Sequence, residues 1–221
     1  MIKLSNVSKI FSVGGEEITI LDSINLTIKE GEFVTIVGPS GSGKSTLMYL
    51  MGLLDVPTRG TIEINGVKTS QLSDDRASRV RNETIGFIFQ SFNLISKLTV
   101  LENILLPTLY SINKDEDFDN RANQLLKRFK IDHRADSYPN KISGGEQQRV
   151  SIARSLILNP KIILADEPTG NLDSKNGKII LDLIADLNKI DKKTIIMITH
   201  DKEIAKRSKR TIEIRDGKVK K

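Results

Sequence analysis

The residues Gly38-Pro39-Ser40-Gly41-Ser42-Gly43-Lys44-Ser45-Thr46 fit the spacing G-x-x-x-x-G-K-[ST], whose residue types are those that hold phosphate. Glycines let successive backbone N–H groups turn inward and form a nest for anionic oxygens. A helix that starts behind the loop points its positive end at the same spot. Lys44 can reach the outer phosphates, and the Ser45 hydroxyl suits Mg²⁺. Further along, the apolar run Ile162-Ile163-Leu164-Ala165 ends in two carboxylates, Asp166 and Glu167. A site that hydrolyses a phosphoanhydride needs both kinds of group that such a pair supplies. Asp166 would hold Mg²⁺ through its water shell, and Glu167 would polarise the attacking water as general base. Ser143-Gly144-Gly145 stands at the start of another expected helix and forms a second anion-binding terminus.

These groups need elements to position them. Phe33-Val34-Thr35-Ile36-Val37 is apolar and β-branched, so it reads as a buried strand, and residues 45–51 after the loop read as a helix. The first stretch alternates apolar and polar residues and predicts two or three antiparallel strands turning at Gly14-Gly15. A short strand over 61–64 ends in an Asn65-Gly66 turn, and residues 73–82 read as a polar helix with Ser73 or Asp74 as cap. Residues 85–89 form a further strand that ends at Gln90. From 91 to 152 the pattern is helical: a helix over 100–106 stopped by Pro107, a second over 118–130, and a third over 146–158. Strands return over 162–165 and 194–198 around an amphipathic helix at 174–188, and a hairpin closes the pattern over 211–219. Continuous β-branched strands separated by helices predict an α/β fold with a mostly parallel sheet.

Composition narrows the classes. A chain of 221 residues can bury a sizeable core as one large domain or two small ones. The absence of cysteine excludes a disulfide framework and a thiolate metal site. No apolar run approaches the length of a membrane span, and Met1-Ile2-Lys3-Leu4-Ser5-Asn6 lacks a signal-peptide pattern. Work at a membrane would therefore need another chain to supply the span. The net charge is +6, but the 34 Lys and Arg are scattered, densest over 202–210 and at Lys218-Val219-Lys220-Lys221. Aromatics make up 5% and tryptophan is absent, so there is no stacking platform for single-stranded nucleic acid.

The segment Ile142-Ser143-Gly144-Gly145-Glu146-Gln147-Gln148-Arg149 resembles the signature L-S-G-G-Q of ABC-transporter nucleotide-binding subunits, departing at Ile142 and Glu146. Glu in place of Gln keeps the length and adds a charge. The resemblance covers essentially the whole chain. It implies ATP and Mg²⁺ as ligands and two subunits that sandwich two ATP molecules head to tail. The residues agree, because one phosphate needs only one nest, and a second nest in the same chain suits a nucleotide held by another copy. By the same resemblance Phe11 stacks on adenine, and Gln90 contacts Mg²⁺ and the attacking water. Asn171-Leu172-Asp173 touches the other subunit's site, and His200 grips the γ-phosphate. His133, in a polar segment, is expected to face solvent. The implied organisation is a P-loop core (1–90 and 153–221) with an N-terminal antiparallel β part and an inserted helical subdomain (91–152).

Gln90-Ser91-Phe92-Asn93-Leu94-Ile95, Leu98-Thr99 and Leu101-Glu102-Asn103 resemble one bacterial subgroup: the ATPases of macrolide-type exporters, lipoprotein-release systems and the cell-division transporter. That similarity implies a separate integral membrane permease as partner; Phe92, Leu94 and Leu98 are candidates to line its docking groove, to pack the helical insertion, or to do both. It also implies a cytoplasmic protein held peripherally at the inner face of the membrane. The rival class is a soluble ABC-type ATPase acting on nucleic acid or ribosomes. The interval from Lys44 to Asp166 leaves no room for a long coiled coil, and the chain carries one ATPase unit, so no nucleic-acid partner is expected.

Overall fold

The computed structural model describes residues 2–113 and 116–220. Met1 and Lys221, which belong to the N-terminal and C-terminal segments read above, lie outside the described residues, as do Lys114 and Asp115. Strands β1 (Ile2–Val13) and β2 (Glu16–Ile28) form the expected hairpin, turning at Gly14-Gly15, both left-handed. Then come β3 (Phe33–Val37), α1 (Lys44–Met51), β4 (Arg59–Ile64) and β5 (Val67–Lys68). The chain continues through α2 (Asp74–Thr84), β6 (Ile85–Ile88), α3 (Val100–Leu105), α4 (Phe118–Arg128) and α5 (Gly144–Leu156). It closes with β7 (Ile162–Asp166), α6 (Ser174–Lys189), β8 (Thr194–Ile198), α7 (Lys202–Ala205), β9 (Arg210–Arg215) and β10 (Lys218–Val219).

Two sheets result. The antiparallel one has the order β2-β1-β4-β5, and the larger one the order β10-β9-β3-β8-β7-β6. All neighbours in the larger sheet are parallel except the β9–β10 hairpin. Strands β3, β6, β7 and β8 are buried on both faces, β9 and β10 at the edge are not, and the period of two divides the buried residues between two cores. Ile162, Leu164, Ile196 and Ile198 face one core, shared with Leu47, Met48 and Leu50 of α1 and with Ile2, Ile28 and Ile62 of the antiparallel sheet. Ile163, Ala165, Ile195 and Met197 face the other, shared with Val100, Leu126, Ile152 and Ile184 of the helices. α1 and α5 therefore lie on opposite faces of one sheet.

Local chemistry sets the ends of the helices. Ser73 caps α2 by accepting from Arg76 N–H at 3.4 Å. Thr99 and Glu102 form a capping box that starts α3, with bonds of 3.2 and 2.7 Å. α3 ends at Leu105, but Pro107 does not terminate the helical path. The chain tightens into a 3-10 turn over Leu106–Tyr110 with Pro107 in its first turn, where no N–H is required. α5 starts at Gly144 rather than Glu146, because the Ser143 hydroxyl caps it from one residue before.

Asn103 ties α3 to the loop ahead of it. Its side chain is fully buried; Oδ1 accepts from Ile95 N–H at 2.8 Å, while Nδ2 donates to the carbonyls of Ile95 and Leu98, each at 3.1 Å, and of Thr99 at 2.9 Å. Asn103→Leu, similar in size, would strand these backbone groups in the core. It is expected to lower stability by about 2–3 kcal/mol, read as a fall in the urea midpoint at unchanged slope.

Candidate functional site

In a parallel sheet the carboxyl ends of the strands share one edge, and ligands bind outside it. The register places Ile36 and Asp166 beside Ile198, and Ile88 beside Ala165. The residues following β3, β6, β7 and β8 therefore converge: the 38–46 loop, Gln90, Asp166-Glu167 and His200.

The loop has little room for side chains. A Cβ on Gly38 would lie 2.1 Å from the Ile214 carbonyl oxygen of β9, and one on Gly43 would lie 2.7 Å from Leu21 Cδ2. Gly41 and Gly43 are left-handed. α1 is capped by Gly43, and no side chain accepts from its first N–H groups. Lys44 is 8% exposed, and its ammonium donates to Pro39 O at 2.7 Å. Ser42 Oγ is buried without a hydrogen-bond partner, an orphan that a phosphate oxygen would satisfy. Pro39, Ser40 and Thr46 complete the loop and the first turn of the helix as expected.

Asp166 hydrogen-bonds the Ser45 hydroxyl. Burial pushes its carboxyl above the ordinary carboxylate value, the Glu167 charge adds to this, and Ser45 and Lys44 act against it. Hard oxygen donors of this kind fit Mg²⁺, which is bound by one or two carboxylates together with substrate phosphates. Among the described residues no cluster of three His, Cys, Asp or Glu forms an all-protein cage. Glu167 has a left-handed φ of 43°, strain of the sort that gathers at functional turns. Its N–H donates to Ile198 O at 3.0 Å, and its Oε1 lies 3.0 Å from His200 Nδ1. An ionised carboxylate only accepts, so the Nδ1 of His200 carries the proton in this contact. Gln90 is locked to Asn171 from both sides: Gln90 Nε2 donates to Asn171 Oδ1 at 3.4 Å, and Asn171 Nδ2 donates to Gln90 O at 3.1 Å. Phe11 is 41% exposed on β1, under the Lys9 ammonium at 4.9 Å, and is not a core ring.

Ser143, Gly144 and Gly145 are not part of this cluster. They open α5 on the other face, where Gly144 lies beneath Leu172 and Phe92 and Gly145 packs against Asn176. Asp173 caps α6, accepting from the N–H groups of Lys175 and Asn176, each at 3.0 Å, and these bonds hold its carboxyl below the ordinary value.

Glu146 is the departure from the signature, and the structure supplies its reason. Its Oε2 accepts from Ser143 N–H at 2.8 Å and from the Ser143 hydroxyl at 2.7 Å, while its Oε1 meets Arg134 at 3.0 Å and His133 at 3.6 Å. His133 does face solvent, as expected, but beside Glu146. Nothing in the spacing pointed to the pair Arg134–Glu146, since residues 12 apart are brought together only by the turn before α5. A buried amide, Gln148, also escaped notice; its one visible signal is a polar residue one helical turn ahead of buried Ile152.

A groove of about 790 Å³ runs between the sheet edge and the helices, lined by Leu54, Phe87, Phe89, Pro107, Tyr110 and Arg154 among others. It takes in Asn93 but not Phe92, Leu94 or Leu98. Leu94 packs on the helical core instead. The chain turns left-handed at Phe92 and Asn93, and Arg154 holds that turn with bonds of 2.7 and 2.6 Å to the two carbonyls.

A glycine loop between strand and helix, at the carboxyl edge of a parallel sheet and beside an acidic strand end, defines a P-loop ATPase. The chain belongs to the ABC transporter family, whose profile matches residues 21–170, and within it to the ATP-binding and hydrolysing subunits. It is 50% identical to an uncharacterized ABC transporter ATP-binding protein of Methanocaldococcus jannaschii, over 99% of this chain and 95% of that protein. A solved dimeric structure of that relative, a post-hydrolysis state bound to ADP and Pi, superimposes with a TM-score of 0.92 at 47% identity, covering 100% of this chain and 97% of the other. The macrolide export ATP-binding/permease protein MacB of Chlorobaculum tepidum is 47% identical over 99% of this chain, which spans 33% of that longer protein.

The surroundings of Glu146 give a pH test. Partial burial works against its charge, but the Ser143 hydroxyl, the Ser143 N–H and Arg134 outweigh it and bring its pKa from 4.5 to about 2. A depressed carboxyl contributes stability above its unfolded value that is lost as pH falls through the folded one. Glu146→Ala should cost about 1–2 kcal/mol at neutral pH, after discounting for solvent at the rim. The difference from wild type in urea should shrink steadily between pH 4.5 and about 2.

Proposed function

We propose that two copies of this subunit close head to tail around two Mg·ATP, hydrolyse them and reopen, and that a separate integral membrane permease reads the motion as export, lipoprotein release or mechanical signalling. The observation that carries the two-copy reading is the placement of the helix starts. The phosphate loop opens α1 on one face of the sheet and Ser143 opens α5 on the other, so the two do not converge on one ligand within a chain. A second copy turned to face the first brings Ser143, Gly144 and Gly145 to its neighbour's ATP. The dimeric solved relative supports this reading.

The residues then take these roles. The N–H groups of residues 38–46, Ser42 Oγ and Lys44 hold the phosphates, and the Phe11 ring stacks on adenine. Ser45, Asp166 and Gln90 hold Mg²⁺, which supplies charge neutralisation at the phosphate oxygens. Glu167 accepts the proton of the attacking water, oriented by Gln90. His200, bonded to Glu167 in the open form, turns to the γ-phosphate on closure, and Asp173 with its loop crosses to the partner's site. Residues 91–152 act as a helical subdomain that turns on the core of 1–90 and 153–221. No helix among the described residues is long and apolar enough to cross a membrane. As in the family it belongs to, the subunit sits at the cytoplasmic face, held by a permease that docks in the groove, where Leu54 and Tyr110 are exposed at its rim.

Glu167→Gln keeps the shape of the site and removes the base. Light scattering of that variant should show a monomer without nucleotide, a dimer with Mg·ATP and no dimer with Mg·ADP. Adding Ser143→Arg should abolish the dimer while ATP binding persists. A Glu167→Gln protein that binds ATP tightly yet stays monomeric at high concentration would refute the sandwich. For docking, Leu54→Glu with Tyr110→Glu should leave basal turnover within about twofold and remove stimulation by the permease. Stimulation that persists would move the docking site elsewhere.

A further inference from the structure

Gln148 of α5 joins, through one side chain, the two turns that carry the chemistry. It is fully buried. Its Nε2 donates to Pro168 O at 2.6 Å and is 3.4 Å from Phe89 O. Pro168 follows Glu167, and Phe89 precedes Gln90. The amide cannot be reversed, because its oxygen would then face two carbonyl oxygens. In the orientation it must take, Oε1 is left buried without a donor. A buried acceptor without a partner is a cost that folded proteins rarely carry, and here it belongs to the amide whose Nε2 holds the carbonyl oxygen of Pro168, the residue after left-handed Glu167. The helix that bears this amide is the one that starts at Ser143.

We propose that Gln148 is a positioning residue for hydrolysis, a strap that passes the position of α5 to Glu167 and Gln90, so that docking of Ser143 on the other copy's nucleotide sets the geometry of the chain's own base and water-orienting glutamine. The inference rests on the reading of Glu167 as base. Closure moves α5, α5 carries the amide, and the amide holds the Pro168 carbonyl one residue from the carboxylate. A shift of about 1 Å at a reacting group is enough to cost on the order of a hundredfold in rate.

Gln148→Met retains length and apolar volume and removes the donor. It also removes the orphaned oxygen, so the folded state loses one unpaired acceptor and gains another at Pro168 O, and the thermal midpoint should stay near that of wild type. The expected result is a fall in kcat of about tenfold or more with KM for ATP within about twofold. In the Glu167→Gln background, where only the link to Gln90 remains to be lost, the same change should slow residual turnover much less than it slows wild type and leave Mg·ATP dimers intact. Ser151→Ala, one turn along α5 and equally buried, touches neither turn and should leave kcat unchanged. If Gln148→Met does not fold, Gln148→Asn, which withdraws the amide by one methylene, must show the same split. Wild-type kcat in the folded variant overturns the strap, as does an equal loss in Ser151→Ala or a loss on top of Glu167→Gln as large as in the wild-type background. Wild-type turnover by Glu167→Gln itself would instead overturn the reading of the site on which the strap rests.

Discussion

Everything chemical in this subunit depends on parallel strands ending together. Hydrogen bonding in register brings the ends of β3, β6, β7 and β8 to one edge. A cation, two carboxylates, an amide and an imidazole that are scattered through the sequence thus become neighbours. The sheet can do this only because both its faces are covered, and the cover is unequal. One face carries α1 and the antiparallel sheet, the other α3 to α6. This asymmetry puts the phosphate loop and the start of α5 on opposite faces of the sheet.

Charge at the edge is held in check by pairing. Lys44 rests on a backbone carbonyl, Asp166 on Ser45 and Glu167 on His200. Each of these partners is one that ATP, Mg²⁺ or water can displace. The contacts at the start of α5 differ, because the Glu146 carboxylate is bound both to the helix N-terminus and to Arg134. A charge fixed in this way stabilises the helix start locally.

The strands and the phosphate loop were legible in the sequence because their information is local. β-branched runs, Gly14-Gly15, Asn65-Gly66 and the G-K-S spacing each speak within a few residues. Asp166-Glu167 and Gln90 were legible through their place at strand ends. The groove, the partners of Glu146 and the contacts of Gln148 were not. Each joins segments far apart, such as Gln148 with Phe89, 59 positions away. The turn at Phe92 and Asn93 was hidden for a related reason. Two successive left-handed non-glycine residues, Phe92 and Asn93, are held by a guanidinium about 60 residues later, and no local propensity announces them.

The close approach of Gly38 to Ile214 also bears on how the chain is made. β3 is synthesised early, but its neighbours in the sheet are β8 and β9, which leave the ribosome among the last elements. Until they arrive, the strand that carries the phosphate loop has no hydrogen-bonded partner on either side, and the wall at Ile214 that shapes the loop does not exist. Nascent chains therefore pass through a long interval in which an apolar strand is made but unpaired, the kind of surface that chaperones shield. The phosphate loop takes its shape only once β9 has paired with β3.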